Sequence, residues 1–157
     1  MFDVKCFRKG GKKKLMEKYI SSSPEETLNI ASALAQTLKG GEIIAFKGDL
    51  GMGKTCFTRG LATGLGYKGE VNSPTFAIMN EYKGGRLDLF HFDMYRISSW
   101  EDLDAVGFFD YCASGGVVAV EWSENIEAAI SGEVITVTIT RTGDTQRTIT
   151  IEREHIT

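Results

Sequence analysis

The segment EIIAFKGDLGMGKTCFTRGLATGLG, residues 42–66, restricts the possible folds of this chain more than any other stretch. EIIAFK is short, apolar and bounded by glycine, the pattern of a strand buried on both faces of a covered sheet. Thr55 to Leu65 reads as a helix, stopped by Gly64 and Gly66. Between them lies GDLGMGKT, residues 48–55. Glycine at that density costs backbone entropy, so a folded chain tolerates it where the main chain must approach something closely. In a strand-to-helix turn, backbone N–H groups converge and the helix N-terminus adds positive potential, which suits phosphate.

Gly48, Gly53, Lys54 and Thr55 satisfy the spacing G-x4-G-K-[ST]. Gly51 and Gly53 permit close approach, the Lys54 ammonium faces the β and γ phosphates, and the Thr55 hydroxyl is a magnesium ligand. The cradle as a whole is Gly48, Asp49, Leu50, Gly51, Met52, Gly53, Lys54, Thr55 and Cys56. Such a loop also needs a carboxylate near the metal, at the C-terminal end of a neighbouring strand. Asp93 ends RLDLFHFD and Glu121 ends VVAVE. One of them holds Mg2+, directly or through water, and the other orients the attacking water. No N-K-x-D run is present, and the one D-x-x-G, Asp104 to Gly107, lies in an acidic helical stretch. ATP is therefore the expected nucleotide.

A chain of 157 residues that is 42% hydrophobic and 25% charged has enough apolar material for one core. No apolar run approaches the ~18 residues of a membrane span, and the N-terminus lacks the apolar centre of a secretory signal. The expectation is a cytoplasmic protein with no membrane partner. Cys6, Cys56 and Cys112 match no zinc or redox spacing, and neither His91 nor His155 has a ligand partner at metal-site spacing. The net charge of −3 hides an asymmetry. Residues 1–15 hold six basic side chains and one acidic, leaving 12 basic against 20 acidic in the rest. A body near −8 is a poor grip on nucleic acid, so no DNA partner is expected. The basic head, Arg8 to Lys14, reads as a disordered leader over 1–15, upstream of an internal start at Met16; an RNA-binding tail is the competing reading.

Residues 16–157 read as a single domain. EKYIS is a strand candidate, followed by a helix capped by Ser23 with Pro24 in its first turn and Glu26 completing a capping box. SPTFAIMNEYK and RLDLFHFD read as strands joined at KGGR, SSWEDLDAVGFFDY as helical segments, VVAVEW as a buried strand and SENIEAAI as a short helix. EVITVTIT and RTITIE alternate strictly around RTGDTQR, which predicts a hairpin at the edge of the sheet. The fold class is α/β, a P-loop NTPase-like three-layer sandwich with a mixed central sheet and a C-terminal β-hairpin.

With GDLGMGKT, SPTF, HFDMYR and VEW in this order, the chain from about residue 18 to the closing hairpin resembles the TsaE (YjeE) family. These are small bacterial P-loop ATPases required to make threonylcarbamoyladenosine beside the anticodon of certain tRNAs. The resemblance implies that ATP phosphates bind Gly48 to Thr55, that Thr55, Asp93 and Glu121 surround magnesium, and that Trp122 lies beside the nucleotide. It implies that Ser73, Pro74, Thr75 and Phe76 form a switch-like segment with Thr75 near the γ-phosphate, and that the helix entrance around Pro24 contacts adenine. TsaD and TsaB are the implied partners, with tRNA engaged through their complex. Met52 and Cys56 depart from the small or hydroxyl residues more usual in the family, and the basic leader is not a family feature. Arg59 and Arg96 lie near the motifs as candidate charge neutralisers. The rival readings are a small-molecule kinase and a nucleotide-gated binding module with incidental hydrolysis.

Overall fold

A computed structural model describes residues 2–9, 12–48 and 53–157. In chain order the elements are β1 (Phe2–Lys9), β2 (Lys12–Ser21), α1 (Pro24–Gln36), β3 (Ile43–Lys47), α2 (Lys54–Gly64), β4 (Met79–Tyr82), β5 (Leu89–Asp93), α3 (Trp100–Ala105), α4 (Phe108–Ala113), β6 (Val117–Glu121), a 3-10 helix (Ser123–Ala129), β7 (Gly132–Arg141) and β8 (Arg147–Ile156). The strands form one mixed sheet in the order β1-β2-β8-β7-β3-β6-β5-β4. β3, β6 and β5 are parallel, and β7 joins β3 in parallel; the outer pairs are antiparallel.

Two apolar layers sandwich this sheet, as the continuous hydrophobic runs of β3 and β6 require. On one face Ile44, Phe46, Leu89, Val117 and Ala119 pack with Ala31, Leu34, Phe57 and Leu61 of α1 and α2. On the other, Ile43, Ala45, Phe92, Val118 and Val120 meet Leu103, Phe108 and Ile126. α1 starts as its sequence dictates: the Ser23 hydroxyl accepts from the Glu26 amide at 3.1 Å, and the Glu26 carboxylate accepts from Ser22 at 2.6 Å. α1 and α2 touch through small residues. A Cβ on Gly60 would lie 2.6 Å from the Ala31 Cβ, and one on Gly64 2.7 Å from that of Ala35.

Three expectations are corrected. Residues 2–9 are strand β1, and β2 starts at Lys12 instead of within EKYIS; the two pair from Phe2↔Tyr19 to Lys9↔Lys12. The supposed leader alternates apolar and polar residues at Phe2, Asp3, Val4, Lys5 and Cys6, a period-two pattern that a count of its charges conceals. Consequently the β7–β8 hairpin is not at the edge, because β2 covers β8 and β1 covers β2. Finally, β4 begins at Met79 rather than Ser73. The Ala77 and Ile78 amides donate to the Pro74 carbonyl at 3.1 and 2.8 Å, so residues 74–78 turn. Among the described residues no helix is long and apolar enough to cross a membrane.

Candidate functional site

The parallel register of β5 and β6 sets Asp93 directly opposite Glu121, each the last residue of its strand. β3 runs the same way between β6 and β7, so its C-terminal end, followed by Gly48, opens at the same edge of the sheet. That edge is where a parallel sheet leaves room for a ligand. Gly48 has φ +131, and a Cβ there would lie 2.3 Å from the Ile139 carbonyl oxygen, so the chain leaves β3 along a path only glycine can follow. Gly53 re-enters the fold as the N-terminal boundary of α2 with φ 101. Asp49, Leu50, Gly51 and Met52 lie outside the described residues.

A cavity of about 270 Å³ gathers Gly53, Lys54, Thr55, Ser73, Thr75, Asp93, Glu121 and Trp122. Lys54 is buried, its Nζ donating to the Gly48 carbonyl at 3.0 Å and lying 5.8 Å from the centroid of the Trp122 ring. The carboxylates are at least as enclosed, and Asp93 is anchored by the Tyr95 amide, which donates to its Oδ1 at 2.9 Å. Glu121 Oε2 lies 3.3 Å from Nε2 of His91, a fully buried imidazole. Tyr95 also packs on Trp122, ring centroids 4.8 Å apart.

Backbone strain collects here. Among the described residues only two non-glycine residues have positive φ, Ile78 (68°) and Trp122 (58°). Trp122 directly follows Glu121, and the Ile78 carbonyl accepts from the Asp93 amide at 2.8 Å. A β-branched residue in the left-handed region is a true outlier, and such strain persists where the surroundings over-determine it. Both strained residues therefore bracket the carboxylate pair. The turn before Ile78 leaves Phe76 92% exposed next to Thr75.

A second cavity, of about 360 Å³, is lined by Ser21, Ser22, Ser23, Pro24, Thr27, Gly53, Cys56, Thr145 and Arg147. Gly53 lines both cavities. Both Pro24 and Cys56 were expected at the nucleotide, Pro24 on the adenine side and Cys56 in the phosphate cradle. Thr145 and Arg147 were not, because β2–β8 pairing, with Ser21 opposite Arg147, brings the closing hairpin to the entrance of α1. Burial raises the Cys56 thiol above its ordinary pKa, with Arg59 opposing. Arg59 and Arg96 are exposed and line neither cavity.

Chemically, the first cavity offers a buried cation, three hydroxyls and two carboxylates beside Gly53. Among the described residues no cluster of three or more His, Cys, Asp or Glu side chains forms a protein-only metal cage. The Thr55 hydroxyl with Asp93 and Glu121 instead fits magnesium, which keeps waters and takes one or two carboxylates together with substrate phosphates.

The family model for the threonylcarbamoyl adenosine biosynthesis protein TsaE matches residues 21–149. The tRNA threonylcarbamoyladenosine biosynthesis protein TsaE of Bacillus subtilis (strain 168) is 43% identical over 133 residues, 85% of this chain and 83% of that protein. Its counterpart in Treponema pallidum (strain Nichols) is 35% identical over 132 residues, 84% and 97% of the two chains. The crystal structure of Bacillus subtilus YdiB superposes with a TM-score of 0.75 at 38% identity, covering 93% of this chain and 88% of that one.

Proposed function

The chain belongs to the TsaE family of threonylcarbamoyl adenosine biosynthesis proteins, and from that premise we propose that it is a magnesium-dependent ATPase serving tRNA threonylcarbamoyladenosine formation in the cytoplasm. The observation that supports this most is convergence: Lys54 and Thr55 from α2, Thr75 from the 74–78 turn, Asp93 from β5 and Glu121 from β6 meet in one 270 Å³ cavity. Four separate segments thus contribute one cation, two hydroxyls and two carboxylates.

In this reading the nucleotide straddles Gly53, the triphosphate end toward Lys54 and the base and ribose toward Pro24, Cys56 and the Ser21–Ser23 hydroxyls. Lys54 leaves the Gly48 carbonyl to bind β- and γ-phosphate oxygens. Thr55 together with one of Asp93 and Glu121 would hold magnesium, which would supply positive charge against the phosphate oxygens. Whichever carboxylate is not occupied with the metal accepts a hydrogen bond from a water and aims its oxygen in line at the γ-phosphorus. The new P–O bond forms, the bond to the β–γ bridging oxygen breaks, ADP leaves with the electron pair, and the water's proton passes to the released phosphate. Thr75 senses the γ-phosphate, so its loss frees the Ser73–Phe76 segment. Exposed Phe76 then changes its presentation to partners, which links hydrolysis to cycling of a TsaB–TsaD complex on tRNA.

The test is ATPase activity of the purified chain with and without the cognate TsaB and TsaD proteins. Marked stimulation by the pair supports the proposal. ATP binding without turnover, alone or with partners, would reduce the chain to a nucleotide-gated binding module.

A further inference from the structure

Among the described residues, the only buried side-chain nitrogen or oxygen atoms lacking a hydrogen-bond partner are the two ring nitrogens of His91. Strand alternation puts His91 on the same face of β5 as Leu89 and Asp93, within the layer that packs on α1 and α2. Its ring meets Phe46 edge-on, centroids 6.4 Å apart. Leucine or methionine would fill that space without desolvating two nitrogens, and replacing an unpartnered polar group by an apolar one of similar shape is close to neutral or stabilising. Packing alone therefore does not call for an imidazole.

The polar group next to it is Glu121, whose Oε2 is 3.3 Å from His91 Nε2. The register explains the contact. His91 lies opposite Ala119 and Asp93 opposite Glu121, so the imidazole lies one side-chain layer beneath the carboxylate pair that lines the 270 Å³ cavity. An ionised carboxylate only accepts hydrogen bonds, so a bond between them requires the ring proton on Nε2. The 3.3 Å contact is not aligned as a hydrogen bond, and catalytic hydrogen bonds are often long or poorly aligned before substrate binds.

We propose that His91 is a positioning residue for Glu121: its Nε2–H holds one carboxylate oxygen from below, so that the other is presented to the cavity in a fixed orientation. A glutamate at a strand end has several rotatable bonds, and an underlying donor is how a catalytic carboxylate is kept within the narrow geometry its task demands. The inference rests on Glu121 having the role given above.

Two measurements test it. Nitrogen-15 NMR of the wild-type chain distinguishes the tautomers of its two histidines, His91 and His155. The expected result is an Nε2–H tautomer for His91 whose Nε2 resonance moves in Glu121→Gln. An Nδ1–H tautomer, or an unmoved resonance, overturns the proposal. In the kinetic arm, His91→Leu lowers kcat about tenfold with ATP Kd and Tm little changed, and His91→Gln, whose terminal amide extends toward the Nε2 position, recovers most of the rate. Wild-type kcat in His91→Leu, or equal loss in both variants at wild-type Tm, overturns it. A wild-type chain that does not turn over ATP defeats the ATPase proposal, while the tautomer still decides the role of His91.

Discussion

The two halves of the sheet use the same backbone ladder under different rules. In the parallel block β3, β6 and β5, nearly every residue is buried, and the C-terminal ends carry Asp93 and Glu121 at low exposure. This half also holds the buried histidine without a hydrogen bond and adjoins both of the non-glycine positive-φ residues among those described. In the antiparallel wing β7, β8, β2 and β1, Val137, Ile139, Ile149 and Ile151 are fully buried, and polar residues such as Thr138 and Thr150 alternate with them. The lesson is a separation of tasks: local physical rules are broken around the candidate site and obeyed where the fold is held together.

Glu121→Gln is the sharpest break. It keeps shape and removes charge, so kcat should fall on the order of 10² to 10⁴-fold while calorimetric ATP affinity and Tm stay near wild type. A large drop in Tm would mean that the carboxylate belongs to the scaffold. Ile149→Ala should do the reverse. Truncating this fully buried side chain of β8 should cost about 2–5 kcal/mol in a denaturant titration, with the turnover of the folded fraction unchanged; altered turnover would erase the division between the halves.

A smaller effect sharpens the strain argument. Ile78→Gly loses partly buried apolar surface but releases left-handed strain of about 1–2 kcal/mol, so stability should be nearly unchanged while hydrolysis slows. A loss on the scale of Ile149→Ala would show that Ile78 is not strained. The mildest effect concerns thiols. Burial pushes Cys112 up to about 11, so its alkylation should be slow at pH 8 and accelerate as pH rises toward that value. Cys56 lines the 360 Å³ cavity and Cys112 lines neither cavity, so Mg-ATP should protect Cys56 selectively. Equal protection of both would argue against a nucleotide base at Pro24 and Cys56.

Much of this was legible in sequence for a physical reason: the buried runs IIAF and VVAV, the helix that follows Gly53 and the Ser23 cap are local signals. Asp93 and Glu121 could be placed at one edge because strand ends in a parallel sheet share a direction. What escaped depends on neighbours. Alternation in EVITVTIT specifies two faces but not which strand lies beside it, so the hairpin was expected at the edge. Thr145 and Arg147 reach the second cavity through β2–β8 register. SPTFAIM is apolar enough to resemble a strand, whereas Ile78, at φ 68, is held both by the local turn onto the Pro74 carbonyl and by the Asp93 amide from β5. His91 has no partner at metal-ligand spacing, and its place two residues before Asp93, on the same strand face, is the sequence sign that it lies under the site.

Isothermal titration of the chain with ATP in the presence of magnesium, alongside Lys54→Ala, bears most directly on whether the turn between β3 and α2 is a triphosphate site. Saturable heat in the wild type and its loss in Lys54→Ala are expected, the variant keeping its Tm. Absence of heat with both proteins folded, or equal binding by the two, would contradict it.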